Sequence, residues 1–250
     1  ATAYYNRGTA YSKLGNNQVA IKDYDKAIEL DPQDAKVYVN RAAAYVKLGN
    51  YQQAIKDFNK AIELNPLDVI AYSIRGSAYA LLGNNQQAIK DFNKAIELNP
   101  QDAKVYVVRG IAYGELGNYQ DEIKDYTKAI ELDPLNAKVY ANRGIASVSL
   151  GNYQQAIKDL NRVIELDPQD ATAYYNRGTA YSKLGNNQVA IKDYDKAIEL
   201  DPLNATAYNN RGFAYANLNN NQQAIEDIKT AARLGLKKAQ HFLRSQGIEW

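Results

Sequence analysis

Apolar and small side chains recur along this chain at three- and four-residue spacings, with polar residues between them. The first 34 residues carry the whole pattern. Tyr4, Gly8, Tyr11 and Leu14 make one stripe, and Ala20, Ile21, Tyr24, Ala27 and Ile28 make a second. Such spacing puts each set on one face of a helix. Between the stripes stands Leu14-Gly15-Asn16. Glycine accepts the left-handed backbone that ends a helix, and asparagine caps the start of the next. The second helix stops near Leu30, because the residue before Pro32 avoids the helical region. Asp34 then caps a new helix, a role taken further on by Asp68, Asp102, Asn136, Asp170 and Asn204. Gln53, three residues after Asn50, has the spacing of a capping-box-like pair. The unit is therefore an antiparallel hairpin, helix A followed by helix B.

This hairpin is written seven times. Pro32, Pro66, Pro100, Pro134, Pro168 and Pro202 fall 34 residues apart, and there is no other proline. A fixed period of this size marks a small unit stacked on itself. The spans are 1–34, 35–68, 69–102, 103–136, 137–170, 171–204 and 205–238, with 239–250 as a capping helix and tail. Slots are named here by the residue in the first unit. The Tyr4 slot is always Tyr, and the Gly8 slot is Gly except at Ala42. The Tyr11 slot is Tyr except at Ser147, and the Ala20 slot is Ala except at Glu122. The Tyr24 slot is aromatic except at Leu160 and Ile228, and the Ala27 slot is Ala except at Val163.

This order of large, small, large, then small, large, small, then Pro resembles the tetratricopeptide repeat. The resemblance covers residues 1–238. Two departures recur: Tyr replaces Trp in the Tyr4 slot, and Arg replaces Leu in the Arg7 slot. The resemblance implies an all-α fold, a right-handed superhelical α-solenoid of antiparallel helix pairs. It also implies that slots 2, 5, 6, 9, 12 and 13 of helix A line a concave face. One subclass of the family grips the C-terminal carboxylates of heat-shock chaperones. It needs Lys in slot 5 and basic residues in slot 6, and here slot 5 is never Lys and slot 6 never basic. Asn40 and Lys104 match single elements of that clamp, so it is not expected.

The concave slots change character along the chain. In the first and sixth units they are polar or amphipathic, as with Thr2, Tyr5, Asn6, Thr9, Ser12 and Lys13. In the middle units they turn apolar. Val46, Ile70, Ile74, Val107, Val108, Ile111, Ile145 and Val148 are expected to form a strip, with Val39 beside it. Lys36, Lys104 and Lys138 edge it, and Asn40 and Asn142 lie within it. An exposed apolar strip with a polar rim marks a contact site, and solenoids bind on their concave faces. The alternative is that some of these residues seal neighbouring A helices together.

The Arg7 slot is Arg and the Asp23 slot is Asp in every unit. Matched charges of this kind form structural ion pairs by default; a row of anion-binding arginines is the alternative. Glu122 and Ser147 each break a slot, and helix B packs on the next helix A in this family, so a Glu122–Ser147 pair is expected. The last unit degrades: Asn219 stands for Gly15, Ile228 for Tyr24, and Gly235-Leu236 for Asp-Pro. Lys237–Ser245 then reads as one more helix, ended by Gly247, with Ile248 and Trp250 folding back. Terminal repeats need a polar outer face, and this helix supplies one. The first helix has no such cover, which points to head-to-tail self-association.

Composition narrows the chemistry. Thirty Lys and Arg against 28 Asp and Glu leave a net charge of +2, interspersed along the chain. That is no basic footprint for nucleic acid. No apolar run approaches membrane-spanning length. There is no Cys and one His, His241, so thiolate sites, His clusters and catalytic triads have no residues to build them. Glycines are isolated, and no phosphate loop is present. Asn204-Ala205-Thr206 is a formal glycosylation sequon, read here as a helix cap. The expectation is a non-enzyme without cofactor or metal: a scaffold that takes a protein or peptide segment in its groove.

Two other readings stand beside it. One is a structural or self-assembling repeat scaffold without a dedicated ligand. Residues 1–32 are identical to 171–202, which natural duplication or engineering would explain. The other is the repeat region of a larger protein, since residue 1 is Ala rather than Met. With no signal peptide or membrane segment in this chain, a cytoplasmic location is the default.

Overall fold

A computed structural model describes residues 1–250. The chain is all α, and its helices come in pairs. Two compact units divide it, Ala1–Leu132 and Asp133–Trp250. The first unit holds α1 (Thr2–Lys13), α2 (Asn17–Leu30), α3 (Ala35–Lys47), α4 (Tyr51–Leu64), α5 (Val69–Leu81), α6 (Asn85–Leu98), α7 (Ala103–Glu115) and α8 (Tyr119–Leu132). The second holds α9 (Ala137–Leu150), α10 (Tyr153–Leu166), α11 (Ala171–Lys183), α12 (Asn187–Leu200), α13 (Ala205–Asn217), α14 (Asn221–Arg233) and α15 (Lys237–Ser245). Odd-numbered helices up to α13 are A helices and even-numbered ones are B helices.

Local chemistry sets the helix ends. Asp34, Asp68, Asp102, Asp170 and Asn204 each accept a hydrogen bond from a first-turn backbone N–H. Asn50 accepts from the Gln53 N–H, one half of the expected capping box. Between A and B the chain turns on a left-handed residue. It is glycine at every pair but the last, where Asn219 adopts φ 62°.

Within a pair, one large side chain of helix B lies over the small residue of helix A. Tyr24, Phe58, Phe92 and Tyr126 do this in the first unit, and Leu160, Tyr194 and Ile228 in the second; all are buried. The fit is close: a Cβ added at Gly76 would stand 2.7 Å from the Phe92 ring. Burying one such ring stabilises the fold by about 3 kcal/mol. Between pairs, each B helix packs on the following A helix within its unit. Ala20, Tyr24 and Ala27 share a core with Val37 and Ala44, as Ala88, Phe92 and Ala95 do with Val105 and Ala112. At the far end α15 covers α14: Ala239 and Leu243 join Ile228, Ala231 and Ala232, with Ile248 and Trp250 folded against them.

The arginines of α3, α5, α7, α11 and α13 each pin three helices. Arg41 donates from Nε and Nη2 to both oxygens of Asp57 at 2.7 Å, and from Nη1 to Asp25 of the preceding B helix at 2.7 Å. Its guanidinium stands 5.7 Å from the Tyr38 ring centre. Arg75, Arg109, Arg177 and Arg211 repeat this with Asp91, Asp125, Asp193 and Asp227. They reach back to Asn59, Asn93, Asn161 and Asp195. Burial works against the charge on Arg75, yet the Asp91 hydrogen bond and charge outweigh it and leave the pKa raised. The Arg7 hydrogen bond likewise holds the Asp23 carboxyl below its usual range, against the effect of burial. These arginines are occupied by structure, not arrayed for anions.

The expected Glu122–Ser147 pair does not form. Glu122 folds over Gly114 of its own helix pair, where an added Cβ would stand 2.8 Å from the carboxyl. The Ser147 hydroxyl is fully buried and has no hydrogen-bond partner. Gly114 supplies a local space that Glu122 fills, so its carboxylate has no need to reach onward.

Candidate partner-binding surface

In the first unit, successive A helices also approach one another directly, α1 with α3, α3 with α5 and α5 with α7. The A side is therefore the closely spaced, inner wall, and the B helices splay on the outside. On that wall the expected apolar strip separates into two classes. Val39, Val46 and Ile74 are half-buried and pack on the core of Ala42, Ala54, Phe58 and Ala71. Val108 is half-buried against the Phe92 core, and Val107 is half-buried too. These side chains help seal A helices together. Ile70 and Ile111 are different: 60% and 46% of their surface is open.

Lys36 and Lys104 are exposed. Asn40 is half-buried and donates to the Tyr5 hydroxyl at 2.8 Å. Beside that bond the Tyr24 hydroxyl donates to Thr9 at 3.4 Å. The α1–α3 end of the wall is thus polar and internally bonded, while the α5–α7 end offers open aliphatic surface.

The second unit has its own wall. Ile145 and Lys138 are exposed on α9, Asn142 is half-buried, and Val148 packs on the Leu160 core. An open depression of about 410 Å³ lies between α11 and α13, lined by Thr179, Ser182, Tyr194, Asn210 and Phe213 among others. There Tyr194 donates to Thr179 and Asn210 donates to the Tyr175 hydroxyl. Burial pushes the Tyr194 phenol up to about 12, with the Thr179 bond opposing, so it stays a neutral donor.

Leu81, in concave slot 13 at the opposite end of α5 from Ile70, is 61% exposed. One feature of these walls escaped the sequence reasoning. The Tyr5–Asn40 and Tyr175–Asn210 bonds tie adjacent A helices. A signal for them exists: Tyr occupies slot 5 only twice, and Asn follows in slot 6 of the next unit both times. For reaction chemistry the surface offers little. No group of His, Asp or Glu side chains is arranged to hold a metal ion, and His241 lies exposed on α15. No helix is long and apolar enough to cross a membrane.

Comparison with known proteins gives a consistent picture. Models described as tetratricopeptide repeat match residues 1–34, 39–103, 92–124, 125–158 and 205–234. A model described as TPR repeat matches 146–185 and 180–219. No curated protein sequence matches this chain. Among solved structures, the chain is 30% identical to MamA over 66% of this chain and 96% of MamA, with a TM-score of 0.62. It is 26% identical to YrrB, described as a TPR protein with an unusual peptide-binding site, over 74% of this chain and 95% of YrrB, at a TM-score of 0.69. The C-terminal part of a TPR repeat-containing protein from Cytophaga hutchinsonii is similar in fold, with a TM-score of 0.79 at 22% identity, covering 95% of this chain and 98% of that one.

Proposed function

Since the chain belongs to the tetratricopeptide repeat family, we propose that it is a non-catalytic binding scaffold and that the inner wall of its first unit receives a protein segment. The segment lies across α5 and α7, with aliphatic anchors on Ile70, Leu81 and Ile111. Exposed Lys36 and Lys104 at the rim favour acidic groups beside those anchors. One observation carries this reading. Ile70 and Ile111 occupy slots off the hairpin's packing stripe, and both keep about half or more of their surface in water. Aliphatic surface that closes no core is retained at a cost in solubility, and contiguous patches of it mark interaction sites. A preformed wall lowers the ordering cost on the receptor side. The peptide-binding description of YrrB supports the same class of ligand.

The test is a peptide-display selection run on the unaltered chain and on the double variant Ile70→Asp with Ile111→Asp. Both positions are exposed, so helicity by circular dichroism stays unchanged. Selected peptides are expected to lose at least about tenfold in affinity for the variant, the size of a hot-spot contact. Equal capture by both proteins would rule out this wall.

A further inference from the structure

The depression between α11 and α13 lies inside the second unit. Beyond α11 stands α9, and beyond α13 stands α15, whose Phe242 ring meets Phe213 at 6.3 Å between centres. At about 410 Å³ it has the size of a small ligand site. Its charge is unbalanced. Lys183 lines it, is exposed and makes no ion pair, and no carboxylate lines it. The hollows beside Arg109 and Arg211 differ, since Asp125 with Glu131 and Asp227 with Glu226 stand next to their cations. An unmatched ammonium favours an anionic group.

One wall is aromatic. Phe213 fills a slot held elsewhere by Thr9, Ala43, Ser77, Ile111, Ile145 and Thr179. Packing on Phe242 uses only part of the ring, which lines the depression and keeps 46% of its surface open. The floor is already satisfied. Tyr194 donates to Thr179, Thr179 donates to the Tyr175 carbonyl, and Asn210 donates to the Tyr175 hydroxyl and accepts from Asn209. A ring laid over these groups strands none of them. The first unit holds a matched wall. Thr9, Ser12, Lys13, Tyr24 and Asn40 repeat Thr179, Ser182, Lys183, Tyr194 and Asn210, while Ala43 stands for Phe213 and Lys47 for Asn217. There Lys47 reaches across to the Ser12 hydroxyl at 3.4 Å; Asn217 turns to Asn187 instead.

We propose that the α11–α13 depression is a second binding site, separate from the first unit's wall, for an aromatic side chain flanked by an acidic residue in a protein segment. The ligand ring stacks on Phe213 in offset or edge-to-face contact. The neighbouring carboxylate pairs with Lys183.

The probe is a blocked peptide, acetyl-Gly-Ser-Glu-Phe-Ser-Gly-amide. It is titrated into the full chain with isotope-labelled phenylalanine rings and followed by NMR. Phe58, Phe92, Phe213 and Phe242 are the chain's only phenylalanines, and Phe58 and Phe92, buried in the first unit, serve as reference. A saturable shift of the Phe213 signal is expected while the reference signals stay still. Leucine in place of the peptide's phenylalanine weakens binding at least about fivefold, as does Phe213→Ala, and Phe213→Tyr restores it. Alanine already holds this slot at Ala43, so Phe213→Ala keeps its helicity. Lys183→Ala weakens binding about two- to fivefold at low salt, and the difference fades at high salt. No shift at Phe213, or shifts at Phe58 and Phe92 alone, would overturn the proposal. So would equal affinity for the leucine peptide, or binding indifferent to Phe213→Ala or to Lys183→Ala.

Discussion

At Glu122 a carboxylate stands where every other helix pair carries alanine. Burial raises its pKa, the Tyr126 hydrogen bond opposes, and the charge of Glu115 adds to the rise. A raised carboxyl pKa means the folded state holds the proton more tightly than the unfolded chain does. Glu122 therefore costs nothing below the unfolded value of 4.5 and costs stability as pH rises through its folded range. Glu122→Gln is expected to raise the thermal midpoint at neutral pH, with the gain shrinking as pH falls toward 4. Thermal melts from pH 4 to 8 check this; a gain independent of pH would mean that packing, not charge, sets the effect. Asp23 has the opposite sign. Its lowered pKa gives stability that is complete above the ordinary carboxylate range and is lost as pH falls through the folded value.

Among the elements, the turn after α13 stands apart. Its left-handed residue is Asn219 at φ 62°, where the other pairs place glycine. Asparagine tolerates this backbone better than most residues but still crowds its Cβ. Asn219→Gly is expected to stabilise the last pair by about 0.5 kcal/mol, offset in part by the greater freedom glycine has when unfolded. Chemical denaturation of the two proteins measures it. The exposed i,i+3 pairs on the B helices, such as Lys60–Glu63 and Lys94–Glu97, contribute little by comparison. The three-way arginine junctions hold each unit's helices in register.

On the scale of the whole molecule, repetition gives similar parts unequal surroundings. Arg7 and Arg177 have the same neighbours in sequence, yet one faces water and the other lies under α10. Removing one partner of a largely buried pair strands the other. Asp23 and Asp193 are equally buried, so Arg177→Ala is expected to cost about 3 kcal/mol and Arg7→Ala less only by the Asn161 hydrogen bond that Arg177 alone makes, about 1 kcal/mol. Stability in a repeat array is a sum of unit and nearest-neighbour terms, so α11, whose Ala173 and Ala180 are buried against α10, is held more firmly than α1, whose Ala3 and Ala10 are exposed. Amide hydrogen exchange is expected to show α1 exchanging ahead of α11, and equal protection of the two copies would refute the account.

The helix pairs and their period were legible in the sequence because their causes are local. Gly15, Pro32 and Asp34 act on the backbone beside them, and the Tyr4–Tyr11 and Ala20–Ala27 stripes follow helical geometry within one element; Asn16, expected to cap α2, makes no side-chain cap bond. The Arg41–Asp57 pairing was legible as well, since the charges recur together. The fate of individual apolar slots was not. Val108 packs on the Phe92 core and Ile111, one turn on, stands open, because exposure depends on the side chains of other helices. Arg41's third partner, Asp25, belongs to the preceding pair, and Glu122 turned to Gly114 because a missing side chain left room. The two identical copies give the limiting case: the residues alone determine how each folds, and only the packing of other helices decides how much of each is covered.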